Sequence, residues 1–120
     1  MSGFARSGDG IPLAFEVHGA GAPALVFVHG WSCDRSYWSG QLRPLAARYQ
    51  TVAVDLAGHG ESGVGRRAWT MAAFGEDVVA VVEQLGGQVR QDQLLVRGAA
   101  AETGALLGSR HLPLPSSPAV

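Results

Sequence analysis

Two short, unbroken apolar runs dominate the reading of the fold. Ala24–Val28 reads ALVFV and stops at His29-Gly30, and Thr51–Leu56 reads TVAVDL and stops at a loop rich in Gly and Arg. A run of this length without polar alternation marks a strand buried on both faces, as in parallel sheets covered by helices. Ile11–His18 differs, because Leu13, Phe15 and Val17 alternate with Ala14, Glu16 and His18. That pattern predicts a strand with one apolar face. His18–Pro23 is a turn, and Gln93–Val96, QLLV, is a further strand.

Two helices fall between the runs. Asp34 or Ser36 caps one that extends to about Arg48, with Trp38, Leu42, Leu45 and Tyr49 on its apolar side and Pro44 kinking or shortening it. Thr70–Leu85 carries the clearest stripe: Met71, Phe74, Val78, Val81, Val82 and Leu85. Thr70 caps its start, and Gly86-Gly87 ends it in a left-handed turn. Strand, helix, strand, helix, strand in this order implies parallel pairing with right-handed crossovers. The expected class is α/β, a mostly parallel twisted sheet with flanking helices. A chain of 120 residues has room for one domain.

Composition removes several functions. Apolar residues are 47% and charged residues 16%, outside the range of a disordered chain. Lysine is absent, which excludes a P-loop lysine and Schiff-base or pyridoxal-phosphate chemistry. The net charge of -1 offers no field for nucleic acid or an anionic membrane. The one cysteine, Cys33, forms no internal disulfide or thiolate zinc cluster. The four histidines lack metal-ligand spacing, so no metal is expected. Neither a signal peptide nor a membrane span is read, and the expected location is the cytoplasm.

Two segments carry the chemistry: LVFVHGWSCD, Leu25–Asp34, and DLAGHGES, Asp55–Ser62. The first is a buried strand that delivers His-Gly onto a loop and the second comes straight after a buried strand, at the carboxyl ends where open α/β sheets build their sites. With the aromatic-rich helix YWSGQLRPLAARYQ and the amphipathic helix before QLLV, they resemble the α/β-hydrolase family from roughly Phe4 to Val96. The resemblance implies that the backbone N–H of Trp31 is an oxyanion-hole donor, an arrangement worth roughly 3–4 kcal/mol of barrier per donor. Gly30 then allows close approach to a substrate, and His29 holds the loop as a structural histidine. Asp55, Gly58, His59, Gly60 and Ser62 form a structural turn. The implied parent activity is hydrolysis of a carboxylic ester or related acyl bond through a covalent intermediate. Its substrate is a small ester-like molecule, and no cofactor is needed. Relatives also cleave epoxides, halides or amides, so the substrate is left open.

The family's nucleophile stands in a G-x-S-x-G turn after the strand that here is QLLV. This chain reads RGAAAETG there, without serine, cysteine or aspartate; its acidic residue is Glu102. His111 lies in the proline-rich end HLPLPSSPAV and is read as solvated. The expectation is an incomplete α/β-hydrolase fold in residues 1–96, followed by an atypical segment, 97–120, from truncation or a frame shift. The chain alone is then inactive, and its last strand becomes a sheet edge open to self-association.

Three rival readings stay open. Gly58–Gly63 spells G-x-G-x-x-G, a dinucleotide fingerprint, yet the following VGRRAW opens no helix. Cys33 near His29 and Asp34 suggests a cysteine enzyme, against the commoner small buried thiol. A non-catalytic interaction fragment is the third.

Overall fold

The computed structural model describes residues 1–30, 33–65, 69–89 and 94–98. Five strands, β1 (Ser2–Arg6), β2 (Pro12–His18), β3 (Ala24–Val28), β4 (Gln50–Val54) and β5 (Leu94–Gly98), form one sheet in the order β1-β2-β4-β3-β5. β3 pairs in parallel with β4 and with β5, whereas β2 runs antiparallel to both β1 and β4. The sheet is therefore mixed, with its parallel part formed by the two apolar runs and β5.

Helix α1 (Ser39–Ala46) covers one face and helix α2 (Met71–Leu85) the other. The strands divide their side chains between the two. Ala24, Val26 and Val28 join Val52, Val54, Leu13, Phe15 and Val17 against Phe74, Val78 and Val82 of α2. Leu25, Phe27 and Ala53 pack with Trp38 and Leu42 on the α1 side. Burial on both faces explains why β3 has no polar position: every residue of it is buried. The polar alternates of β2, Glu16 and His18, border a cleft shared with Ser39, Leu42, Arg43 and Ala46 of α1.

Helix ends follow local chemistry. The segment after β3 opens as a 3-10 turn, Arg35–Trp38, and only then becomes α1. Of the two candidate caps, Asp34 takes the position, its Oδ1 accepting the Ser36 N–H at 2.8 Å. α1 ends two residues after Pro44, short of Arg48. At α2 the Thr70 hydroxyl accepts the Ala73 N–H at 3.0 Å. Gly86, with φ +52°, closes its far end.

The short connection from β2 to β3 must clear β4, which lies between them. A Cβ on Gly21 would stand 2.0 Å from the Arg48 carbonyl oxygen, so only glycine lets the chain entering β4 pass this close. The Gln50 N–H then donates to the Gly21 carbonyl at 3.2 Å.

β1 has no counterpart among the elements expected from sequence. Its large apolar residue, Phe4, is 62% exposed, so no alternation betrays it; its pairing comes from β2. β5 continues past Val96 to Gly98, while residues 99–120 lie outside the described residues. Among the described residues, β5 is the last strand on its side of the sheet. None of the described helices is long and apolar enough to cross a membrane.

Candidate active site

The three parallel strands end level. Val28 stands opposite Val54 on one side and Gly98 on the other. The segments that begin at His29 and Asp55 therefore leave the sheet side by side.

His29 is fully buried and engaged at both ring nitrogens. Its Nε2 accepts the Leu56 N–H at 3.0 Å, which requires a bare nitrogen there. The proton then sits on Nδ1, which donates to the Gly30 carbonyl at 2.7 Å. Burial pushes the pKa of His29 below its ordinary value, with the bond to Gly30 acting the other way and the nearby His59 adding to the depression. The imidazole is thus a neutral strut and has no nitrogen free to take a proton from Cys33. The Cys33 N–H also donates to the Gly30 carbonyl, at 3.3 Å, giving that oxygen two donors. Among the described residues, no atom lies within 4 Å of where a Cβ on Gly30 would stand. Trp31 and Ser32 lie outside the described residues.

The segment after β4 folds back on the sheet. Ser62 is buried; its Oγ accepts the Ala14 N–H at 2.8 Å and donates to the Asp55 carbonyl at 2.6 Å. With its hydroxyl closed in this way, Ser62 is a stitch between β2 and the loop. The Gly63 N–H donates to the Pro12 carbonyl at 2.8 Å, and Gly58 bonds Gly63 across the turn at 2.9 Å. Gly60 has φ +50°, and a Cβ there would stand 2.4 Å from the Asp55 carboxylate. The His59 ring packs 5.0 Å from that of His29, and its Nδ1 lies 3.0 Å from the Ala57 carbonyl. Residues 58–63 thus form a closed turn, and α2 opens only at Met71. A dinucleotide fingerprint needs a helix start inside the motif.

Arg35, Glu16 and Glu61 were not singled out by the sequence. Asp55 is buried, and its Oδ1 accepts the Arg35 main-chain N–H at 2.7 Å. Its Oδ2 accepts the Glu61 N–H at 2.9 Å and also pairs with Arg35 Nη1. Arg35 Nη2 reaches Glu61 Oε1 at 2.6 Å, and Nε reaches Glu16 Oε2 at 3.2 Å. Burial works against the Arg35 charge, but the bonds to Glu61 and Glu16 and the Asp55 charge outweigh it and raise its pKa. The available signal was Glu16, a charged residue midway along an otherwise apolar strand. A cleft of about 320 Å³ opens at this cluster, bordered by Glu16, Arg35, Asp55 and Glu61. Its surplus of carboxylates suits neither an anion nor an apolar acyl chain. Among the described residues, no three His, Cys, Asp or Glu side chains form a group that could hold a metal ion.

Buried strands delivering His-Gly and Asp-Leu onto adjoining loops, between helices on both faces, define an α/β-hydrolase-type sheet. The sequence model of the Alpha/beta hydrolase family matches residues 25–108, and the chain belongs to that family. Over 78 residues it is 36% identical to the dihydrolipoyllysine-residue acetyltransferase component of the acetoin cleaving system of Cupriavidus necator, covering 65% of this chain and 21% of that protein. Over 88 residues it is 35% identical to the bifunctional esterase/perhydrolase of Acinetobacter calcoaceticus, covering 72% and 32%. The solved structure of a thermophilic esterase from Thermogutta terrifontis matches with a TM-score of 0.80 and 26% identity, over 98% of this chain and 48% of that one. The chain thus matches 21–32% of the length of these curated relatives and 48% of the solved esterase.

Proposed function

We propose that this chain carries the oxyanion-binding part of a hydrolase acting on a carboxylic ester or related acyl bond. In such a reaction a nucleophile adds to the carbonyl carbon, and the carbonyl oxygen takes up negative charge. The ester C–O bond then breaks, the alcohol leaves with a proton, and water releases the acid from the acyl-enzyme. Fixed N–H donors aimed at the developing oxyanion lower that barrier. In our reading the Trp31 N–H is one of them, supported by His29 and Gly30, and a second comes from the nucleophile turn.

The observation that carries the proposal is the Gly30 carbonyl, held by donors from His29 and Cys33 where β3 ends, with no atom of the described residues within 4 Å of a Gly30 Cβ position. The esterase among the relatives supports the acyl-bond reading.

We propose further that the chain alone turns over no ester. The segment Gly98–Gly104 offers no serine, cysteine or aspartate, and the Ser62 hydroxyl is committed to the Asp55 carbonyl. The test is exposure of the full chain to a fluorophosphonate probe, with mass spectrometry and a nitrophenyl acetate assay. The expected result is an unlabelled chain without turnover. Labelling of Ser32 or Ser62 together with ester cleavage would overturn it.

A further inference from the structure

We propose that Gln84 of α2 closes the outer edge of β1 and denies it to a strand from a second copy of this chain. β1 stands first in the sheet order and, among the described residues, pairs with β2 alone. The register shows which of its backbone groups point outward. At one end the Met1 ammonium donates to the Val17 carbonyl at 2.8 Å, and the Val17 N–H donates to the Met1 carbonyl at 2.6 Å. At the other end the Ser7 N–H donates to the Ile11 carbonyl at 2.9 Å. Between them Gly3 stands opposite Phe15 and Ala5 opposite Leu13. The odd-numbered residues therefore turn their N–H and C=O toward β2. In an antiparallel ladder such pairs alternate with pairs that exchange no bonds, so Ser2, Phe4 and Arg6 turn theirs outward.

At Arg6 the outward groups are already taken. The Arg6 N–H donates to Gln84 Oε1 at 2.8 Å, and Gln84 Nε2 donates to the Arg6 carbonyl at 2.6 Å. One carboxamide thus makes the two bonds that a residue of a further strand would make. Gln84 is exposed while the next residue, Leu85, is buried, so α2 holds the amide at the rim of the sheet. The guard sits where it is needed. The Phe4 ring is 62% exposed, and an apolar side chain beside unpaired backbone groups is a template for strand addition. Two copies set antiparallel about Phe4 would bring Phe4 against Phe4, and Arg6 of each copy against Ser2 of the other. Gln84 blocks the Arg6 end in both and leaves only the pair at Phe4. One pair of bonds does not offset the freedom that two chains lose on joining.

The experiment compares the full wild-type chain with Gln84→Met, Phe4→Pro and the double variant, by sedimentation velocity and backbone amide exchange. Methionine keeps the length of the side chain without its amide. Proline at position 4 removes an outward N–H and is tolerated on an edge strand. In dilute Gln84→Met the Arg6 N–H is expected to exchange about tenfold faster than in the wild type. At higher concentration this variant forms species heavier than the wild type's, and the Phe4 N–H gains protection as they form. The double variant returns to the wild-type mass distribution. Pairing through β5 is common to all four chains and cancels in the comparison. Equal masses for Gln84→Met and the wild type overturn the proposal. Extra mass that persists in the double variant overturns it too, because that association does not use the β1 edge. Where Gln84→Met does not fold, Gln84→Glu takes its place, keeping the acceptor for the Arg6 N–H and losing the donor to the Arg6 carbonyl. Association above the wild type's that Phe4→Pro abolishes then upholds the guard, and any other result overturns it.

Discussion

Val28 and Gly98 face each other across the β3–β5 ladder, so the chain leaves both strands at the same level of the sheet. In open α/β sheets the ligand lies outside the carboxyl ends of the strands. The residues that follow Gly98 in the sequence begin Ala99-Ala100-Ala101 and lie outside the described residues. We propose that the chain supplies an oxyanion-binding loop without an attacking group.

Ser62 is expected to matter for stability. Ser62→Ala removes the acceptor of the buried Ala14 N–H and the donor to the Asp55 carbonyl. Leaving a buried donor unsatisfied costs about 1–3 kcal/mol. Chemical denaturation of the variant should show a loss of this size. A change under about 0.5 kcal/mol would mean that water replaces the stitch.

Stability should depend on pH through His29. Burial holds its pKa below the ordinary value of 6.5, so the native ring stays neutral where the unfolded one takes a proton. The unfolded state then binds more protons as pH falls below about 6.5, and stability declines with it at no more than about 1.4 kcal/mol per pH unit. The decline ends once pH passes the native pKa. Denaturation of wild type and His29→Asn at pH 7.5 and 5.5 checks the sign: the wild type should lose more on acidification. Equal losses would remove His29 as the cause.

We propose that β5 is also where the chain meets copies of itself. Among the described residues it pairs only with β3. An uncovered strand edge presents a row of N–H and C=O groups ready to pair. Sedimentation velocity should show species heavier than a monomer as concentration rises, and Leu94→Pro or Val96→Pro should diminish them. A sharp, cooperative two-state unfolding of a strict monomer would contradict the proposal.

The parallel part of the sheet was legible because β3 and β4 announce double-sided burial in their own residues. α2 was legible because Thr70 and Gly86 mark its ends around an apolar stripe. β1 was not, since Ser2–Arg6 is ordered by its partner strand and leaves Phe4 exposed. His29 and the turn at Asp55 stood out in the sequence because each comes directly after a buried run. Arg35 did not, because its importance comes from three carboxylates at positions 16, 55 and 61 that only the folded topology brings together.

The most direct measurement is a methylphosphonate titration of the ¹⁵N-labelled wild-type chain, followed at the Trp31 amide. Methylphosphonate is a tetrahedral anion like the intermediate of acyl transfer. A saturable shift centred on Trp31 and its loop neighbours, absent from α2, is the result predicted. A Trp31 amide that stays still at saturating methylphosphonate, or moves no more than amides across the whole chain, would contradict the assignment of an oxyanion cradle to this loop.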